Sequence, residues 1–214
     1  MINKIVFDDV SLFFGEKSIF DRMSIELKAG KIISVVGANG SGKSTFLKLA
    51  GQFIKPTSGR IGARVKGQGS STLSADPLAF RERVAAVAPS MTLYSELTAI
   101  ENINFFVGLR NINLKVSDID TLFNRVGLNL NDTHKFVGEF STGMIQRLKF
   151  AILLAVKADV WLLDEPGSNL DERGKNIIID EVKCAASEGK LILWATNDKD
   201  EAEVGDEIIN LPIR

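Results

Sequence analysis

KIISVVGANGSGKST, residues Lys31 to Thr45, joins an apolar run to a glycine-rich turn and the opening of a helix. Ile32, Ile33, Val35 and Val36 are β-branched and read as a buried strand. Gly37-Ala38-Asn39-Gly40-Ser41-Gly42 follows, and Lys43-Ser44-Thr45 starts a helix carrying Phe46, Leu47 and Leu49. The pattern is G-x-x-x-x-G-K-S in its strand–loop–helix setting. Glycines let backbone N–H groups turn inward onto phosphate oxygens, and the helix N-terminus adds partial positive charge. Lys43 has the reach for β- and γ-phosphates, and the Ser44 hydroxyl can join a Mg²⁺ shell. These residues predict a nucleoside-triphosphate site.

Working outward, Lys4–Phe7, Ile19-Phe20 and Met23–Leu27 read as strands upstream of that loop. Phe13 and Phe14 lie between the first two; Phe14 is the candidate to stack on a nucleotide base, with core packing as the alternative. Downstream, Lys55–Gly59 reads as a turn, Gly62–Ser74 as an exposed excursion or hairpin, and Arg83–Ala88 as a short strand closed by Pro89. Thr98 with Glu101, and Ser117 with Asp120, have capping-box spacing, so residues 91–156 are expected to be mostly helical. Phe140–Met144 precedes a helix over Ile145–Val156, with Gln146, Arg147 and Lys149 expected off its apolar face.

Asp159–Leu163 is an apolar strand leading into Asp164-Glu165-Pro166. A strand buried on both faces suits a parallel sheet, and carboxylates at its carboxyl end sit where such sheets bind ligands. Asp164 is placed to hold Mg²⁺ through water, and Glu165 to polarise an attacking water. Ser168–Asp171 leads a helix to about Ser187, and strands over Lys190–Ala195 and Glu207–Leu211 complete the pattern, with no appended domain expected.

Composition narrows the function. The 214 residues fit one domain, and 45% hydrophobic content is enough for a core. Lys+Arg 26 against Asp+Glu 27 leaves a net charge of −1, so no overall basic field draws the chain to nucleic acid or anionic lipid. No signal-like or membrane-spanning run is present, which points to a cytoplasmic protein. The single Cys184 has no partner for an internal disulfide and is expected to pack within a helix.

Together, the phosphate loop, FSTGM-x-QR, the strand ending Asp-Glu-Pro and Ser168-Asn169-Leu170-Asp171 resemble the ATP-binding cassette ATPases over nearly the whole chain. The resemblance implies an α/β fold: a RecA-like P-loop NTPase core with an antiparallel β-subdomain and an inserted α-helical subdomain. Core and β-subdomain would span about 1–90 and 157–214, and the helical subdomain about 91–156. It also implies a head-to-tail dimer holding two ATP molecules. Ser141 and Gly143 of one subunit would face the γ-phosphate on the other's loop, and Asp171 would cross the interface.

Three motifs depart from that family. Phe140, Thr142 and Met144 replace residues of the usual L-S-G-G-Q signature. Ser90 stands where a glutamine usually reaches the metal; the chain's glutamines are Gln52, Gln68 and Gln146. Asn197 stands where a histidine usually contacts the γ-phosphate, and the sole histidine, His134, is expected at the surface. An asparagine can donate to phosphate but cannot carry charge or shuttle a proton. A working but slow ATPase is expected.

The resemblance further implies the nucleotide-binding subunit of a transporter, paired with a separate integral membrane permease. Met91–Asn102 (MTLYSELTAIEN) is similar to the stretch of exporter-type cassettes, including those linked to haem export, against which a permease docks. An iron–sulfur-assembly ATPase and a slow regulatory ATP-binding module are the alternatives. The long heptads of DNA-repair cassettes are missing.

Overall fold

A computed structural model describes residues 1–66 and 77–212. Its strands are β1 (Ile2–Phe14), β2 (Lys17–Lys28), β3 (Lys31–Val36), β4 (Ser58–Val65), β5 (Val84–Val87), β6 (Val160–Asp164), β7 (Leu191–Thr196) and β8 (Glu207–Asn210). The helices are α1 (Lys43–Ala50), α2 (Pro77–Arg81), α3 (Ala99–Gly108), α4 (Val116–Arg125), α5 (Thr142–Ala155), α6 (Glu172–Ser187) and α7 (Lys199–Ala202). The chain divides into two compact units, one of Met1–Ala86, Asp159–Glu165 and Val182–Arg214, the other of Val87–Ala158 and Pro166–Glu181.

The first unit holds two sheets. One is antiparallel, in the order β2-β1-β4; the other has five strands in the order β5-β6-β7-β3-β8. In the second sheet β3 lies parallel to both β7 and β8, and β6 parallel to β7. Such a strand is covered on both faces, which is why β7 is buried at every residue. α1 packs on β6 and β7, and its Phe46 is the joint between the layers. The Phe46 ring stacks on Phe7 of β1 at 5.4 Å and meets Phe20 of β2 edge-on at 6.1 Å. All three are fully buried, each worth about 1.5–3 kcal/mol from desolvation.

The first two strands are longer than their alternation suggests. β1 carries irregularities in pairing between Phe7 and Val10 and between Val10 and Leu12, and Asp9 has φ 51°. Each bulge shifts the period-two pattern by one residue, so the sequence reads as fragments of what is one ribbon. The turn and excursion expected over Lys55–Ser74 resolve into β4 from Ser58 to Val65. The remainder of that expectation, with Gln68, lies outside the described residues.

In the second unit α3 and α4 both pack on α5. The cap expected at Thr98 is present: Glu101 N–H donates to Thr98 Oγ1 at 3.3 Å, and Thr98 N–H donates to Glu101 Oε2 at 2.8 Å. The one expected at Ser117 is displaced. α4 instead starts after Lys115, whose N–H donates to Asp118 Oδ2 at 2.8 Å. Ser117-x-x-Asp120 has the same spacing two residues too late. Asn102 is fully buried and staples the preceding loop: its Oδ1 accepts from Tyr94 N–H at 2.8 Å, and its Nδ2 donates to the carbonyls of Tyr94, Leu97 and Thr98.

α5 begins at Thr142, three residues before the expected start. Ser141 is its N-cap, accepting from Met144 N–H at 3.2 Å. Gln146 and Lys149, expected on a polar face, are buried. Leu93 is also buried, whereas Tyr94 stays exposed against Phe105, with ring centroids 4.8 Å apart. Cys184 is exposed on α6, contrary to the packed position expected, and His134 is exposed as expected. Among the described residues no helix is long and apolar enough to cross a membrane.

Candidate functional site

Within the first unit, the carboxyl ends of β3, β6 and β7 present the phosphate loop, Asp164-Glu165 and Asn197 respectively. Parallel strands put these ends on one edge of the sheet. The loop is tightly folded. Ser41 N–H donates to the Ala38 carbonyl at 3.0 Å, and Gly42, at φ 102°, caps α1 by accepting from Phe46 N–H at 2.8 Å. At Gly37 there is no room for a side chain: a Cβ would lie 2.5 Å from Ser41 Oγ and 2.7 Å from the Leu211 carbonyl oxygen.

Lys43 is buried and folds back over the loop, its Nζ donating to the carbonyls of Gly37 at 2.8 Å and Ala38 at 3.3 Å. Ser41 Oγ is buried without a hydrogen-bond partner among the described residues. An ammonium curled across loop carbonyls, an orphan hydroxyl and a close backbone approach fit a phosphate tail, whose oxygens would take up those donors. Ser44 and the neighbouring Asn39 and Gly40 are exposed, and Thr45 is half-buried.

Asp164 and Glu165 are half-buried at the end of β6. Glu165 adopts φ 49°, uncommon for a residue with a side chain, and its N–H donates to the Ala195 carbonyl at 2.8 Å. β7 thus fixes the backbone of the acid that follows β6. Asn197 meets the phosphate loop directly, its Nδ2 donating to Asn39 Oδ1 at 3.1 Å. Beneath Asn197 lies a buried polar network that sequence reasoning missed. Glu201 Oε2 accepts from Thr196 Oγ1 at 2.8 Å and from Trp194 Nε1 at 3.2 Å, while Thr196 Oγ1 accepts from Asp198 N–H at 3.0 Å. A polar residue four positions beyond Asn197 was the available signal. A cleft of about 550 Å³ opens beside the loop, lined by Gly37, Ala38, Asn197 and Asp198 among others.

Phe14 is exposed at the β1–β2 hairpin, and no ring contact holds it among the described residues. For a metal, the described residues contain no cluster of three His, Cys, Asp or Glu side chains. Mg²⁺ at Ser44 and Asp164 would therefore draw most of its oxygens from phosphate and water, as that ion commonly does.

The second unit carries the other predicted positions. Ser141, Gly143 and Asp171 line a cavity of about 540 Å³ together with Arg147, Asn169 and Arg173. Gly143 approaches the S-N-L-D loop closely: a Cβ there would lie 3.0 Å from the Asn169 carbonyl oxygen. Asp171 Oδ1 accepts from Gly174 N–H at 3.0 Å and from Arg147 Nη2 at 2.7 Å. The Gly174 N–H, and then the Arg147 charge, hold its carboxyl below the ordinary range. Arg147 also donates from Nη1 to the carbonyls of Val126 and Gly127, both at 3.2 Å, and Gln146 Nε2 donates to the Pro166 carbonyl at 2.8 Å. Ser90 is exposed and belongs to this unit, whereas Ser44 and Asp164 belong to the first.

A strand–loop–helix phosphate cradle on a parallel sheet, with acids closing the strand one removed from it across β7, defines a P-loop nucleoside triphosphatase. Comparison with known proteins narrows the class: residues 20–168 match the ABC transporter family, and the chain belongs to it. It is an ATP-binding ABC ATPase. It is similar to the probable iron export ATP-binding protein FetA of Escherichia coli K12, at 31% identity over 95% of this chain and 88% of that one. It is also similar to the sulfate/thiosulfate import ATP-binding protein CysA of Mesostigma viride, at 30% identity over 96% of this chain but 58% of the relative. Two further relatives are spanned over only 47% and 31% of their lengths. Among solved structures, the dimeric bacterial ABC transporter cassette MJ0796 superposes with a TM-score of 0.82 at 25% identity, covering 97% of this chain and 94% of that one. The expected α/β cassette fold is thereby borne out.

Proposed function

We propose that this ATP-binding subunit forms a head-to-tail dimer on binding MgATP and drives a separate membrane permease, in the direction of export. The observation that carries the reading is the phosphate loop, where Lys43 crosses the Gly37 and Ala38 carbonyls in wait for phosphate oxygens. Backbone N–H groups of Gly40 and Gly42, the Ser41 hydroxyl and the Lys43 ammonium hold the triphosphate, with Phe14 against the base. Ser44 and Asp164 would hold Mg²⁺, which would draw charge from the phosphate oxygens as it develops, and Ser90 has the role toward that ion that its place in the family's glutamine position implies. Glu165 accepts the proton of the attacking water. Asn197 senses the γ-phosphate, exchanging its bond to Asn39 for one to phosphate oxygen.

Ser141 caps α5, so α5 offers a partially positive end next to Gly143 and suits a partner subunit's γ-phosphate. Asp171, held by Gly174 and Arg147, is kept charged for an interface role. The dimeric state of MJ0796 supports this assembly. Export is supported by Met91–Asn102, whose Tyr94 forms an exposed aromatic pair with Phe105 further along α3, suited to an apolar permease segment, and by the similarity to FetA. The chain would then work at the cytoplasmic face of the membrane, without nucleic acid, in keeping with its net charge of −1.

Affinity purification from native membranes tests the assignment. A polytopic permease should co-purify in stoichiometric amount; a soluble partner alone would favour the iron–sulfur-assembly type. The departures at Ser90 and Asn197 favour a slow, regulatory ATPase as the second reading. For Asn197→His, steady-state turnover should rise by up to about 10²-fold, the low end for a positioned acid–base group. Loss of turnover in that variant would show a site built around the amide.

A further inference from the structure

Lys149 is a charge in an unusual place. It lies two turns into α5, on the helix capped by Ser141, and is 6% exposed. Its one hydrogen bond among the described residues runs from Nζ to the Ala88 carbonyl, at 3.3 Å. No carboxylate forms an ion pair with it there. An ammonium has three donors, and a buried cation left with a single long bond is costly. Burial pushes this ammonium below the ordinary lysine range.

The acceptor matters. The Ala88 carbonyl also accepts from Met91 N–H at 3.0 Å, which closes a turn whose central residues are Pro89 and Ser90. Lys149 therefore grips the closing carbonyl of the turn that displays Ser90, and it does so from the helix that begins at Ser141. A methionine would fill the same volume without the desolvation cost. Fold stability therefore does not account for a lysine here.

We infer that Lys149 is a positioning residue for ATP hydrolysis: its ammonium locks the Ala88–Met91 turn to α5, so that Ser90 moves with Ser141 as one body. The inference rests on the proposed roles of Ser90 and Ser141 in the nucleotide site. The test compares the full chain with Lys149→Met and Lys149→Arg in thermal unfolding, MgATP calorimetry and steady-state hydrolysis. Lys149→Met should unfold no earlier than the parent, bind MgATP within twofold of it and lose about tenfold in kcat with KM unchanged. Lys149→Arg, which can still donate to the Ala88 carbonyl, should recover most of that loss. An unchanged kcat in Lys149→Met overturns the inference, and so does a fall in kcat matched by earlier unfolding. Binding of MgATP by the parent reports on the underlying reading separately, because the phosphate loop belongs to the other unit.

Discussion

Glu165→Gln retains MgATP affinity and slows steady-state hydrolysis by about 10²–10⁴-fold, the usual contribution of a positioned general base. The amide keeps the shape and the hydrogen-bonding reach of the carboxylate but cannot accept a proton from water. The backbone argues for this residue over Asp164. β6 ends at Asp164, and Glu165 then turns to φ 49° with its N–H held by the Ala195 carbonyl at 2.8 Å. Non-glycine residues rarely sit there, at a cost of about 1–3 kcal/mol, and they cluster at sites where side-chain direction matters. Single-turnover and steady-state assays on the same preparation measure the effect. The variant should also accumulate as an ATP-bound dimer in light scattering, because ATP that joins the subunits is no longer consumed. Turnover equal to the parent's would remove Glu165 from the chemistry.

Gly37→Ala is the second large effect, and it acts through space rather than charge. The added methyl would stand 2.5 Å from Ser41 Oγ and 2.7 Å from the Leu211 carbonyl oxygen. Ser41 can rotate its hydroxyl, but the Leu211 backbone is pinned by its own N–H on the Val36 carbonyl at 2.8 Å. The loop must therefore shift, at about 1–3 kcal/mol for an overpacked site. The same shift moves the Gly37 and Ala38 carbonyls on which Lys43 rests. Nucleotide affinity should fall by more than about tenfold, corresponding to about 1.4 kcal/mol. Gly40→Ala makes the contrast, since nothing lies within 4 Å of a Cβ there, although its φ of 79° retains some strain.

The phosphate loop was legible because its spacing is a local requirement: strand, tight turn and helix N-terminus are all set within Lys31–Thr45. The apolar runs of β6 and β7 were legible for a similar reason, since strands covered on both faces leave no polar positions. Lys149 was hidden because residue type assigns it to a solvated face, whereas the packing of α3 and α4 on α5 decides which face is solvated. The start of α4 was misplaced because Ser117 and Asp120 imitate a cap that Lys115 and Asp118 form without a side-chain hydroxyl. The Asn39–Asn197 bond joins residues far apart in the chain, and no local pattern could have announced it. The same holds for Arg147, which reads as a surface cation but ties Asp171 to the end of α4.

Calorimetric titration of MgATP into the parent chain and into Lys43→Ala tests the central claim most directly. Saturable binding by the parent, weakened by at least about tenfold in Lys43→Ala, is the result predicted, since a hydrogen bond to a charged group contributes about 1.5–3 kcal/mol. No heat from the parent at millimolar MgATP, or equal affinities for the two chains, would contradict it.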